Sequence, residues 1–174
     1  MHRLRTARTP DRALVHLASC ILAFAVLAAP AAAQTDIPSP EQHFGHVMGA
    51  DGQLADWSEL AAYYRLIAER SDRVMVREMG PSTWGKPFFV LFISSPENLA
   101  NLDQLQRYNA ILTDPRGHSA GEVEEAMERG RAVVAQSYGL HASEVAATQA
   151  MAEIAYRMAT RTDAAMTRIL DETV

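Results

Sequence analysis

The chain has 174 residues, 48% of them hydrophobic and 21% charged, with a net charge of −5 and a single cysteine. That composition excludes a disordered, collagen-like or disulfide-stapled protein. With 16 basic against 21 acidic residues, the chain lacks the positive excess that holds a phosphate backbone, so nucleic acid is not an expected partner.

Arg3, Arg5, Arg8 and Arg12 stand against one acid, Asp11, ahead of an apolar run from Ala13 to Ala29. That order is a secretory signal peptide's. The run is broken by His16 and Ser19 and is shorter than the ~20 apolar residues of a membrane span. It leads into Ala31-Ala32-Ala33, so cleavage is expected before Gln34, with export to a periplasm or to the outside. An uncleaved N-terminal anchor is the first alternative. The second is a lipid anchor on Cys20, since Leu17-Ala18-Ser19-Cys20 resembles a bacterial lipobox, although only about four apolar residues precede it where ~7 to 15 are needed. Residues 1–33 hold four arginines and one aspartate, so their removal leaves 12 basic against 20 acidic groups, a net charge of −8, and no cysteine. Disulfide frameworks and thiol catalysis are thereby excluded.

Residues 34–53 carry two prolines and three glycines without sustained periodicity, which predicts an extended lead-in. A helix follows, opened by Asp56 with Glu59 in a capping-box pattern, with Leu60, Tyr63, Tyr64 and Ile67 on one face, ending near Ser71. Val74 to Met79 and Phe88 to Ile93 read as strands, the second apolar enough to be buried on both faces, joined across Gly80 to Pro87 as a wide hairpin. Ser95-Pro96 then opens a helix through Leu99, Leu102, Leu105 and Ile111 that stops at Asp114-Pro115-Arg116-Gly117. Ser119 with Glu122 caps a solvated helix to about Arg129, closed by Gly130. Ala132 to Ser137 is the expected third strand and Gly139 to Glu144 a turn. Val145 to Thr160 is helical with Ala147, Met151, Ile154 and Met158 on one stripe, and a last helix runs from Asp163 to about Glu172.

Strands alternating with helices indicate an α/β domain with a mixed, mostly parallel sheet flanked by helices, its first strand pair antiparallel. An α/β sheet ordinarily returns with another strand after such helices. Residues 54–174 are the expected domain, and either this fold is small or it is cut short after its third strand and the helices that follow. An unfinished sheet leaves an open edge, which favours aggregation or dependence on a partner.

Gly139-Leu140-His141-Ala142-Ser143-Glu144 carries the chemistry. Ligands in open α/β sheets bind where a strand's carboxyl end meets the next helix. Histidine and glutamate three apart on a first helical turn point the same way, so an imidazole nitrogen and a carboxylate can share one cation. The competing account makes Glu144 a helix-start carboxylate favoured by the macrodipole and His141 a polar turn residue. His43-Phe44-Gly45-His46 lies in the irregular lead-in and His118 beside the Ser119 cap, both as surface residues, while Trp57, Tyr63 and Tyr64 read as core.

From about Ile37 to Val174 the chain resembles the N-terminal part of the zinc carboxypeptidase family, the carboxypeptidase A-like peptidases. Three segments carry the likeness: the loop Gly80-Pro81-Ser82-Thr83-Trp84-Gly85-Lys86-Pro87, the strand Phe88 to Ser94, and Gly139 to Glu144. The last is similar to that family's zinc motif, which implies His141 and Glu144 as the first two ligands of one zinc ion and a peptide as substrate. The resemblance also implies a third histidine ligand, a catalytic glutamate and substrate-binding arginines further downstream. No histidine follows His141, so no catalytic residue is assigned within the chain. Two functions are expected to compete: an exported zinc-dependent metallocarboxypeptidase seen as a truncated chain, inactive alone, and a non-catalytic exported α/β binding protein that keeps part of the scaffold.

Overall fold

A computed structural model describes residues 36–174 of the chain; the expected signal peptide and its cleavage point lie outside the described residues. Helix α1 (Pro40–Phe44) occupies the lead-in that the sequence left without regular structure. Its five residues are too few for periodicity to register, but its caps are complete: Ser39 and Gln42 form a capping box, Pro40 sits in the first turn, and Gly45 closes it at φ +76°. The lead-in is docked, with Ile37 buried and the Tyr63 hydroxyl donating to the Pro38 carbonyl at 2.8 Å.

Helix α2 (Trp57–Arg70) begins at the Asp56–Glu59 capping box and ends at Ser71. Leu60, Tyr63 and Ile67 are fully buried, each stabilising the fold by about 1.5–3 kcal/mol relative to exposure. Burial also pushes the Tyr63 and Tyr64 hydroxyls up from their ordinary values, so both stay neutral.

Strands β1 (Val74–Pro81) and β2 (Pro87–Ile93) form an antiparallel hairpin in register Val74 to Ile93 through Pro81 to Pro87, with a bulge between Glu78 and Gly80. The strands run further than the sequence indicated, leaving only residues 82–86 as the turn. β2 is not buried on both faces. Phe89, Leu91 and Ile93 pack on the core, whereas Phe88 and Val90 face outward and are exposed. Among the described residues the core packs on one side of the hairpin, and strand alternation does the rest.

The helix expected from Ser95 is two helices, α3 (Pro96–Ala100) and α4 (Leu102–Thr113), separated at Asn101. Helix α5 (Ala120–Arg129) carries the Ser119–Glu122 capping box and packs on α4 through Ala126 and Tyr108. Helix α6 (Val145–Thr160) has the expected limits, but its buried stripe is Gln149, Ala152, Ala155 and Ala159. Met151, Ile154 and Met158 are only half-buried, because α6 lies against α2 along its small residues. Helix α7 (Ala164–Glu172), capped by Asp163, ends on buried Ser94 and Asn98: Asn98 Nδ2 donates to the Leu170 and Asp171 carbonyls at 3.0 Å, and the Ser95 amide reaches Leu170 O at 2.9 Å. These bonds satisfy carbonyls that a helix end leaves without partners.

The third strand is the principal correction. Residues 132–137 are exposed and irregular, and their one ladder contact is a parallel bridge between Ala132 and Thr173, with Val134 N donating to Val174 O and Val174 N to Ala132 O, both at 2.9 Å. A strand exists through its neighbours, and among the described residues Thr173 and Val174 are the only backbone partners here. The architecture among the described residues is mixed α/β with a two-stranded antiparallel sheet. No helix among them is long and apolar enough to cross a membrane.

Candidate metal centre

The turn that precedes α6 is fixed by Gly139. Its φ is +67°, and a Cβ there would stand 2.0 Å from Thr148 Oγ1 on α6, so both backbone conformation and space call for glycine. From Gly139 the chain folds back on itself, with the Glu144 amide donating to the His141 carbonyl at 3.0 Å.

This reverse turn brings the two sequence candidates together. His141 Nδ1 lies 2.6 Å from Glu144 Oε1, and the His141 amide donates to Glu144 Oε2 at 3.2 Å. A carboxylate only accepts, so Nδ1 carries the proton. The placement differs in one respect from the sequence reading: neither residue is on the first helical turn. Glu144 is the N-cap of α6 and makes no side-chain cap bond; its carboxylate is spent on His141. The turn, rather than helical spacing, aligns the pair. Hydrogen bonds from the His141 side chain and then the His141 backbone hold the Glu144 carboxyl below its ordinary value.

The side chains are 70% and 46% exposed, open to a ligand from solvent. They line a cleft of about 210 Å³ whose opposite wall is Leu54, Ala55, Trp57 and Leu60. Trp57 is held there, its indole N–H donating to the Pro87 carbonyl at 3.1 Å and its ring stacked on Phe89 with centroids 5.4 Å apart.

An imidazole nitrogen and a carboxylate oxygen are both ordinary zinc donors. For Nδ1 to serve as a ligand, its proton would have to leave it and the 2.6 Å contact with Glu144 would have to open. The donor set fits zinc but is short. Among the described residues no group of three or more His, Cys, Asp or Glu side chains is placed to hold a metal ion. His43 packs its ring against Tyr63, with centroids 4.6 Å apart, and His118, just ahead of α5, stands 3.8 Å from Glu122. Tyr63, Tyr64 and Trp57 belong to the core or pack against it.

Sequence reasoning passed over Gln149. It is 5% exposed and makes two hydrogen bonds to one backbone residue, Ala55. The available signal was a lone amide on the small-residue stripe of α6, five positions after Glu144.

A family model described as zinc carboxypeptidase matches residues 60–174. No curated protein and no solved structure matches the chain. The matched stretch begins at Leu60, in the wall facing the pair, and includes His141 and Glu144.

Proposed function

The chain belongs to the zinc carboxypeptidase family, and on that premise we propose that it is an exported, zinc-dependent metallocarboxypeptidase scaffold directed at the C-terminal bond of peptides. The observation that carries this reading is the convergence of His141 Nδ1 and Glu144 Oε1, 2.6 Å apart, inside the matched stretch. These two residues would hold one zinc ion. When bound, such an ion supplies polarisation of a peptide carbonyl and acidification of a bound water.

What the chain's own residues contribute is binding and orientation. Gly139 and the reverse turn aim the imidazole and the carboxylate at one point, and the cleft wall of Leu54, Trp57 and Leu60 keeps one side of that point apolar. Among the described residues no third ligand stands beside the pair, so this stretch alone holds zinc weakly and turns over no substrate. The proposal also includes export through the arginine-led apolar segment of residues 1–33, and cleavage before Gln34.

The shortage of ligands favours a second reading, a non-catalytic exported α/β protein that keeps the scaffold for binding. An assay of N-blocked peptides with the full chain and added zinc tests the first. The expected result is no release of C-terminal residues above background. Release that a chelator and His141→Ala both abolish would show that the chain suffices for turnover, and would overturn the proposed inactivity.

A further inference from the structure

We infer that Gln149 is a positioning residue for the His141–Glu144 pair, its buried amide holding Leu54–Ala55 as the far wall of the cleft. The inference rests on the reading of that pair as metal ligands. The Ala55 amide donates to Gln149 Oε1 at 2.9 Å, and Gln149 Nε2 donates to the Ala55 carbonyl at 3.0 Å, across 94 residues of chain. One side chain thus satisfies both backbone groups of a single residue, as a neighbouring strand would.

The rest of the α6 stripe meets α2 through Ala152, Ala155 and Ala159, contacts that are apolar and non-directional. Only at the position nearest the pair does the stripe carry a directional contact. Ala55 adjoins Asp56, the N-cap of α2, so the clamp sets the start of α2 against the first turns of α6. The preceding residue in the helix, Thr148, packs against Gly139. Two successive α6 residues therefore fix both sides of the cleft: Thr148 holds the turn that carries His141, and Gln149 holds the wall that faces it. Without the clamp Leu54–Ala55 can lift away, and the exposed pair loses the apolar residues that line the cleft beside it.

The test is a calorimetric zinc titration of the full chain, with its thermal melt measured in parallel. Gln149→Met removes both bonds at similar bulk, and Gln149→Asn keeps an amide one methylene short of Ala55. Asn98→Ala, which breaks the bonds at the end of α7, is the control for lost stability alone. The expected result is that both Gln149 variants bind zinc about tenfold more weakly than the parent, whereas Asn98→Ala melts earlier but keeps its affinity. Should Gln149→Met fail to fold, Gln149→Asn decides. Unchanged affinity in the folded Gln149 variants, or an equal loss in Asn98→Ala, overturns the positioning role and leaves the metal reading standing. A parent chain that binds no zinc at all overturns the metal reading and this inference with it.

Discussion

The β1–β2 hairpin and residues 132–137 have the same kind of sequence and different outcomes. Both are short apolar runs rich in β-branched or aromatic residues, VMVREM and FFVLFI on one side and AVVAQS on the other. The hairpin pairs along its length because each strand finds its partner across a turn of residues 82–86, and α2 covers one face through Trp57 and Tyr64 on Phe89. Residues 132–137 find only Thr173 and Val174, and Val133 and Val134 remain 58% and 59% exposed. Strand propensity is a statement about fitting a paired surface, so without a neighbour it does not produce a strand. The candidate metal centre follows directly after the unpaired segment.

The largest effect should come from breaking the well-packed side. Ile67→Ala, at a fully buried position against the hairpin and α6, is expected to cost about 2–5 kcal/mol in denaturant unfolding. Val134→Ala, at an exposed position, should stay within about 0.5 kcal/mol of the parent. Equal losses at the two sites would show that 132–137 is packed in solution as a strand.

Gly139→Ala sharpens the comparison at the boundary between the unpaired segment and α6. The left-handed backbone and the approach of Thr148 predict a loss of about 1–3 kcal/mol. His141 and Glu144 should also lose their mutual contact, readable as a changed histidine ring signal in NMR. A fully stable variant with an unchanged signal would contradict the account of the turn.

The smallest effect is on acid stability. The Ser119 backbone and side chain hold Glu122 below its ordinary value, the Arg161 side chain and then the Met166 amide do the same for Asp163, and Ser58 does so for Asp56. A carboxylate whose folded value is depressed contributes stability above its ordinary value and loses that contribution as pH falls through the folded one. The melting temperature should therefore be level above about pH 5 and decline below about pH 4, and Ser119→Ala should shrink the decline slightly. A decline centred near neutral pH would contradict the assignment to these caps.

The elements legible in the sequence were those whose signals are local. The Asp56–Glu59 and Ser119–Glu122 capping boxes each place a helix start where it occurs, because a cap is satisfied within three residues. The hairpin was legible because its partner strand lies one turn away. The features that escaped depend on distant chain. The sequence puts Ala147, Met151, Ile154 and Met158 on one α6 stripe, yet close approach to α2 selects Ala152, Ala155 and Ala159. Asn98 and Gln149 are buried polar residues whose partners lie 72 and 94 positions away, beyond any periodicity. At the site, the identity of His141 and Glu144 was legible and their mode of meeting was not, since a reverse turn gives the i, i+3 proximity that a helix would also give.

The most direct test of the central claim, that His141 and Glu144 form the metal-binding part of this scaffold, is a zinc titration of the full chain beside His141→Ala and Glu144→Ala. The account predicts weak, one-to-one binding by the parent chain and its loss in both variants. Equal binding by the parent and both variants would place the ion elsewhere and contradict it.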